Sequence, residues 1–256
     1  VCKQQFHFRK VKLQGTIVTP PSKSYAHRFL IAAALSNAPT LLTGLHELSD
    51  DILVTTQSLT ALGCKTEYDA HKGTLLVIPH SQQKSAQVQT VHMKESGTSL
   101  RLLIPVLISQ LKTVRITGEN KLPERPLNTY FDIFTDVHFT KEAVGKNLPL
   151  LCSGTITPGE YALEGNVSSQ FISGLLFTLP LLNGKSKITM TSTLQSLPYV
   201  EMTLEVLAAF GIIVEHDDSY TIFSIPGNQQ YHSTGTYAIE QDYSARGFFE
   251  VANAIA

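Results

Sequence analysis

A block of sixteen residues occurs three times: "SKSYAHRFLIAAALSN" from Ser22, "ESGTSLRLLIPVLISQ" from Glu95 and "SSQFISGLLFTLPLLN" from Ser168, each starting 73 residues after the last. Self-similarity at a fixed long period marks repeated supersecondary units. In every copy a short polar stretch leads into an apolar, helix-like run, and a strand-like segment follows: "TLLTGL", "TVRITG" and "SKITMT". The regions between the blocks also correspond. "LSDDILVTTQSLTALG", "LPERPLNTYFDIFTD" and "SLPYVEMTLEVLAAFG" read as capped or proline-initiated helices. Alternating strand-like pairs follow, such as "CKTEYD" with "GTLLVIP" and "IIVEHD" with "SYTIFSIP". Each unit therefore reads roughly βαβαββ, and three units predict one α/β domain whose equivalent helices share a common N-terminal end.

A fourth copy begins near Tyr237 and runs through "QDYSARGFFEVANAIA" to Ala256. A lone strand and helix cannot bury an apolar face. Residues 238 to 256 are thus expected to belong to a second domain whose remainder is absent from this chain.

The formal net charge is only -1, which gives no global attraction for nucleic acid or an anionic membrane surface. Any anion chemistry must be local. Cys2, Cys64 and Cys152 are odd in number, widely separated and in no CxxC pair, which fits a reduced compartment and a cytoplasmic location. "VCKQQFHFRK" has no apolar signal core, and no stretch reaches the roughly eighteen apolar residues a membrane span needs. The histidines form no HxxxH pair and none lies near a cysteine at ligand spacing, so neither a metal nor another cofactor is expected.

The chemistry sits at the helix entries. Helix N-termini expose unpaired N–H groups and a partial positive charge, so they favour anions. Ser22 to Ser24, Ser96 to Ser99 and Ser168 to Gln170 are three such entries. Taken singly, each serine could be an ordinary N-cap worth about 1 kcal/mol. The cations are harder to explain locally. Lys23 lies beside a helix start, Arg28 one turn in, Arg101 at the equivalent place in the next repeat, and Arg125 just before Pro126. Cations there oppose the helix dipole, whereas an anionic ligand would hold them through paired guanidinium hydrogen bonds and a compact ammonium charge. An ion pair of these groups to Asp50, Asp51 or Glu124 is the plainer alternative. The chain has no GxxxxGK[ST] loop, and "SGTS" lacks the GxSxG frame of an acyl-transfer serine. Tyr199, at a helix start, could bond a polyol or fill core.

Together, "PPSKSYAHR", "ESGTSLR", "ERPLNTYFD", "GNVSSQFISGLLF", "SLPYVEMTLEVLAAFG" and "EQDYSARGFFEVANAI" resemble the 5-enolpyruvylshikimate-3-phosphate synthase family over nearly the whole chain. The resemblance implies an inside-out α/β barrel of repeated βαβαββ units, the enolpyruvyl transferase fold, in two domains. Residues 14–237 would form one complete domain, with 1–13 and 238–256 parts of the other. It implies transfer of the enolpyruvyl group of phosphoenolpyruvate to the 5-hydroxyl of shikimate 3-phosphate, with loss of phosphate. Lys23, Ser24, Arg28, Ser168, Ser169, Gln170, Ser196 and Tyr199 would hold shikimate 3-phosphate, and Lys23, Gly97, Arg125 and Gln170 would face phosphoenolpyruvate, with Lys23 the catalytic group. Gly97, lacking a Cβ, would let the ligand approach the backbone, where the herbicide glyphosate competes in this family. Arg101 and Asp242 receive no role. The family's acid and base carboxylates come from the second domain, so this chain alone is expected to bind weakly and not turn over. It is expected to be a monomer with small-molecule partners only.

Two other readings remain. A UDP-N-acetylglucosamine enolpyruvyl transferase would carry a cysteine between "ESGTSLR" and "ERP" and an Asn after its first lysine; here there is no cysteine, and Ser24 follows Lys23. A non-catalytic module of the same fold would have no need for Lys23, Arg28, Arg125 and Gln170 together.

Overall fold

The computed structural model describes residues 15–79 and 87–255. The first unit contains helix α1 (Lys23–Leu35), strand β1 (Thr40–Thr43), helix α2 (Asp50–Ser58) and strands β2 (Lys65–Asp69) and β3 (Thr74–Ile78). The second contains β4 (Gln89–His92), α3 (Gly97–Leu111), β5 (Thr113–Thr117), α4 (Asn128–Ile133), β6 (Val137–Lys141) and β7 (Leu150–Gly154). The third contains β8 (Glu160–Leu163), α5 (Ser169–Thr178), β9 (Ser186–Met190), α6 (Leu197–Ala209), β10 (Glu215–His216) and β11 (Ile222–Ile225). Strand β12 (Thr236–Ala238) and helix α7 (Tyr243–Ile255) follow.

Each unit makes a four-stranded sheet of one design. In the second, β4 runs parallel to β5, which pairs antiparallel with β7, and β6 covers the far edge of β7. In the third, β8, β9, β11 and β10 repeat the pattern. Burial alternates along β1, β3, β5 and β9, as expected of strands with one face on a core. Leu42, Val114 and Ile188 all point inward and are fully buried. They face helices that are apolar on nearly every side. In α3 the buried set runs from Leu102 through Ile108, and in α5 from Phe171 through Thr178. A helix apolar all round belongs inside, so α1, α3 and α5 form the centre and the sheets form the walls.

The first unit departs from the expected order, because among the described residues no strand precedes α1. That place is taken by β12, which pairs parallel with β1 and sets Tyr237 opposite Leu42. The strand of the fourth copy thus closes the ring of the first, and only its helix leaves. The returning segment is bonded along its length. Asn37 N–H donates to the Tyr231 carbonyl at 3.1 Å, Leu41 N–H to Gly235 at 2.7 Å, and Ile239 N–H to Thr43 at 2.9 Å. The Tyr237 ring stacks on Phe210, with centroids 4.6 Å apart. Farther on, Ser22 N–H donates to Glu240 and Asp242 N–H to Pro20, so the segments before α1 and α7 are laced together. Asp242 is the N-cap of α7: its Oδ1 accepts from the N–H of Ser244 and of Ala245. No residue of α7 is buried among the described residues, and Phe248, Val251 and Ile255 stand exposed along one stripe.

Helix α3 carries Pro105 in its interior. Proline has no N–H, so the carbonyl four residues earlier, at Arg101, loses its helical donor. The fully buried Tyr130 of α4 supplies the missing proton, its hydroxyl donating to the Arg101 carbonyl at 2.6 Å. Space for that hydroxyl exists because α5 presents Gly174 there. A Cβ at Gly174 would lie 2.8 Å from the Arg101 oxygen and would also strike the tyrosine hydroxyl. Tyr130→Phe is therefore expected to lower unfolding free energy by about 1–3 kcal/mol, the range for an orphaned buried acceptor. Pro105→Ala, which restores the helical N–H, should recover part of that loss. Urea unfolding of both single variants and the double checks this, and equal losses with and without Pro105 would contradict it.

Candidate active site

The mouths of the three central helices are built alike. Ser22, Ser96 and Ser168 are the N-caps of α1, α3 and α5, accepting from the N–H of Tyr25, Ser99 and Gln170. None of the three helices has an acidic residue in its first turn. Carboxylates are the usual complement of a helix N-terminus; here the helices' own first turns supply none, and Asp51 of α2 reaches the cap of α3 through Ser96.

Polar side chains tie these ends together. Between α3 and α5, the Gln170 amide donates to Thr98 Oγ1 at 2.9 Å and accepts from the Arg101 guanidinium at 3.0 Å. Arg101 also lies over the Phe171 ring, 5.1 Å from its centroid, and its Nε is buried without a partner. Burial and the nearby Arg125 charge both lower its proton affinity. Arg125 is exposed and follows a short turn before Pro126. These two neighbouring guanidinium groups, neither ion-paired to a carboxylate among the described residues, form a positive region.

Arg28 links α1 to α6 and, through Ser173, to α5. It is only 2% exposed. Its Nε donates to Thr203 Oγ1 at 2.8 Å, one terminal nitrogen to the Ser24 carbonyl at 2.8 Å, and the other to the Tyr199 carbonyl at 2.7 Å and Ser173 Oγ at 3.5 Å. Burial pulls its pKa down to about 10, still charged at neutral pH. The expectation that Arg28 presents a free fork to a ligand is thus modified. Protein acceptors occupy most of its donors, and the side chain fixes the backbones of Ser24 and Tyr199 from beneath.

Between α1 and α3 the link is a hydroxyl chain. His27 Nδ1 bonds Thr55 Oγ1 at 2.7 Å, Thr55 bonds Ser99 at 2.8 Å, and Ser99 bonds Ser96 at 2.7 Å. Beside it, Lys23 Nζ pairs with Asp51 Oδ2 at 2.7 Å. Asp51 belongs to α2, where Asp50 and Asp51 occupy the first turn.

The remaining candidates sit as follows. Ser24, Ser168 and Gln170 are partly exposed and Ser169 is buried. Ser196 is exposed, holds a left-handed backbone with φ of 61°, and does not cap α6 with its side chain. Tyr199 is 41% exposed, so it does not fill core. An added Cβ at Gly97 would meet only Leu122 Cδ1, at 4.0 Å. The protein itself does not require glycine at that position. A cleft of about 360 Å3, lined by Pro20, Pro21, Lys23, Glu47, Ser49, Ile52 and Asp242, flanks this face. Among the described residues no three His, Cys, Asp or Glu side chains come together as metal ligands, and no helix is long and apolar enough to cross a membrane. The segment 1–13, expected to belong to a second domain, lies outside the described residues. Sequence reasoning placed Thr98 and Ser99 in a helix entry that favours anions, and gave no role to His27, Thr55, Ser173 or Thr203; together these six make the links. The one signal for them is a small polar residue set inside an apolar run, as Ser173 is in "FISGLLF".

His27 is fully buried and its Nε2 has no partner. Burial, aided by Lys23 and Arg28, pushes the imidazole down to about 3, against an attractive effect of Asp51. A depressed pKa means that the unfolded chain takes up the proton first. Stability present above about pH 6.5 is therefore lost as pH falls, by about 2 kcal/mol between pH 7 and pH 5. Urea unfolding at the two pH values should show this slope in the parent and its loss in His27→Asn. An unchanged slope in the variant would contradict the placement. Asp51 acts in a more acidic window: burial opposes its ionisation, but hydrogen bonds from Lys23 and Ser96 hold its carboxyl below the usual range.

A family model for EPSP synthase (3-phosphoshikimate 1-carboxyvinyltransferase) matches residues 9–256. The 3-phosphoshikimate 1-carboxyvinyltransferase of Clostridium perfringens strain SM101 is 37% identical over 244 residues, which cover 95% of this chain and 56% of that relative. The Clostridium kluyveri protein of the same name is 40% identical over 244 residues, with the same coverage of 95% and 56%. The chain spans about half the length of the curated relatives it matches. Among solved structures, an EPSP synthase from Acinetobacter baumannii aligns with a TM-score of 0.75 at 22% identity, over 93% of this chain and 52% of that one. The enolpyruvyl transferase NikO from Streptomyces tendae aligns at 0.65 and 17% identity, over 90% and 52%. Both alignments speak for the fold, with central helices walled by repeated four-stranded sheets. With a family model spanning nearly all of a sequence whose repeats, caps and cations meet at one face, the chain belongs to the EPSP synthase family.

Proposed function

We propose that this chain provides the shikimate 3-phosphate side of an enolpyruvyl transferase cleft. In that reaction the 5-hydroxyl oxygen of shikimate 3-phosphate adds to the central carbon of phosphoenolpyruvate and loses its proton, while the methylene carbon takes up a proton, giving a tetrahedral intermediate with a methyl group. The carbon–oxygen bond to phosphate then breaks as the methyl carbon gives up a proton, which restores the double bond and releases inorganic phosphate. The product enters aromatic amino acid biosynthesis in the cytoplasm. Two polyanions must meet, and fixed cations and amide dipoles lower the cost of that encounter and stabilise charge developing in the transition state.

The observation that carries this reading is the set of three serine-capped helix mouths without acidic first turns, joined by Arg28, Arg101 and Gln170. Ser168, Ser169, Ser196, Ser24 and Tyr199 would bond the phosphate and ring hydroxyls of shikimate 3-phosphate. Arg28 would act by charge and by holding Ser24 and Tyr199 in place. Lys23, Arg125, Gln170 and the open backbone at Gly97 would take phosphoenolpyruvate. Residues 14–237, with the strap that completes the first sheet, would form this domain, while 1–13 and α7 would pack with the other. The uncovered apolar stripe of α7 supports that division.

Because the chain spans about half the relatives' length, ligand binding tests this reading more cleanly than turnover. Titration calorimetry with shikimate 3-phosphate should give heat for the parent, and Ser196→Ala should weaken it roughly five- to tenfold, the worth of about one hydrogen bond. Its melting temperature should be unchanged, because the hydroxyl does not cap α6. Gly97→Ala should likewise leave stability intact, there being room for the methyl group, while lowering affinity for phosphoenolpyruvate. Absence of heat from either ligand, or equal affinity in the variants, overturns the assignment.

A further inference from the structure

Asp51 is at odds with its surroundings. The three central mouths contain no acidic first turn, yet this carboxylate reaches them from α2 and meets the single lysine there. Its neighbour Asp50 is exposed and occupies the same first turn of α2. One acid suffices to complement the α2 dipole, and the Asp51 carboxylate instead bonds outward, to Lys23 of α1 and to Ser96, the cap of α3. Stability does not explain the pair. Side-chain exposures of 46% for Lys23 and 31% for Asp51 put it among solvated ion pairs, which contribute little to folding.

The bond does restrict a mobile group. A lysine carries four rotatable bonds and much rotamer entropy, so a free ammonium would sample much of the space above α1. Asp51 is itself held. Its main-chain carbonyl accepts from Ser99 Oγ at 3.3 Å, and Ser99 is joined to Ser96, the N-cap of α3, and through Thr55 to His27 of α1. The carboxylate therefore stands on a buried hydroxyl network that registers α2 against both α1 and α3. Its hold places the Lys23 ammonium between the mouth of α1 and the first turn of α2, whose Asp51 is tied through Ser99 to the N-cap of α3.

We propose that Asp51 is a positioning residue for Lys23, fixing the ammonium where an anionic donor substrate meets the mouth of α3. The inference rests on the reading that Lys23 faces phosphoenolpyruvate, but its first test does not. Competitive acetylation with acetic anhydride, read by mass spectrometry on the whole chain, reports how firmly each lysine is held as an ion-paired ammonium. In Asp51→Asn the rate at Lys23 should rise about tenfold relative to the other lysines, and in Asp50→Asn it should not change. An unchanged Lys23 rate in Asp51→Asn, or an equal rise in Asp50→Asn, overturns the proposal.

The second test is a double-mutant cycle by calorimetry with phosphoenolpyruvate. Asp51→Asn should weaken binding about tenfold in the parent, and should have no further effect in the Lys23→Ala background. A loss that persists without Lys23 makes Asp51 a merely structural residue and sinks the proposal. Binding that survives Lys23→Ala unchanged sinks the donor assignment instead, and with it the role given to Asp51, even where acetylation shows the ion pair to be intact. The cycle separates these failures because a general loosening of α2 would weaken binding regardless of the residue at 23.

Discussion

Three helix N-termini meeting with no carboxylate in their own first turns are the constraint on which the rest of this domain depends. Each brings a partial positive charge of roughly half a unit, and Arg28, Arg101, Lys23 and Arg125 add full ones nearby. Left alone, such a face would push itself apart. It is held by what lies behind it: a close-packed apolar centre in which α3 and α5 touch at Gly174 and α1 is walled by the first sheet. The polar links among the mouths add direction to that packing. Arg28 spends its donors on Ser24, Tyr199, Thr203 and Ser173, and Gln170 spends its amide on Thr98 and Arg101. A buried guanidinium surrounded by neutral oxygens is costly beside one paired with a carboxylate. Accepting that cost leaves the Arg28 charge unpaired by any carboxylate, while Asp51 pairs with Lys23 at the neighbouring seam.

The same reasoning explains why the helices lie inside and the sheets outside. A site made from helix ends needs those ends adjacent, and adjacent parallel helices must be apolar all round, as α3 and α5 are. Walls are then needed on three sides, and each unit supplies one sheet with a single buried face. Closing the last side falls to β12, which returns from the far end of the third unit to complete the first sheet. Tyr231 and Tyr237 seal that return: one hydroxyl donates to the Phe177 carbonyl at 2.8 Å, the other to Ala209 at 3.1 Å. The strap then runs alongside Pro20 to Ser22 and ends at Asp242, the cap of α7. The entry to α1, with Lys23, and the entry to α7 are therefore set by one pair of hydrogen-bonded segments.

Much of this was legible in the residues. The 73-residue period located the three sheets and the central helices, because hydrophobic runs with polar entries survive divergence as patterns. Serine at the three caps, and cations where local stability disfavours them, pointed to the face. What stayed hidden was whatever depends on pairing across the fold. The period alone could not tell that the strand of the fourth copy belongs to the first unit, since "TYAI" is an equally good leading strand for either. Nor could it show that Arg28 would be buried, because its place on the wheel of α1 is set by α6, whose Thr203 and Tyr199 come from far along the chain. The α4 stretch looked long in "LPERPLNTYFDIFTD", yet only Asn128–Ile133 is helical. Prolines at 123 and 126 shorten it, and its main contribution is one hydroxyl, that of Tyr130.

The central claim is that the three mouths act as one anion site. Amide chemical shifts of the isotopically labelled chain, followed during titration with shikimate 3-phosphate, test it most directly. The account predicts that the largest changes, with one common saturation curve, fall on the first-turn amides of α1, α3 and α5 together. Changes confined to one helix, or centred on the separate polar cleft lined by Glu160, Lys185 and Lys187, would contradict it.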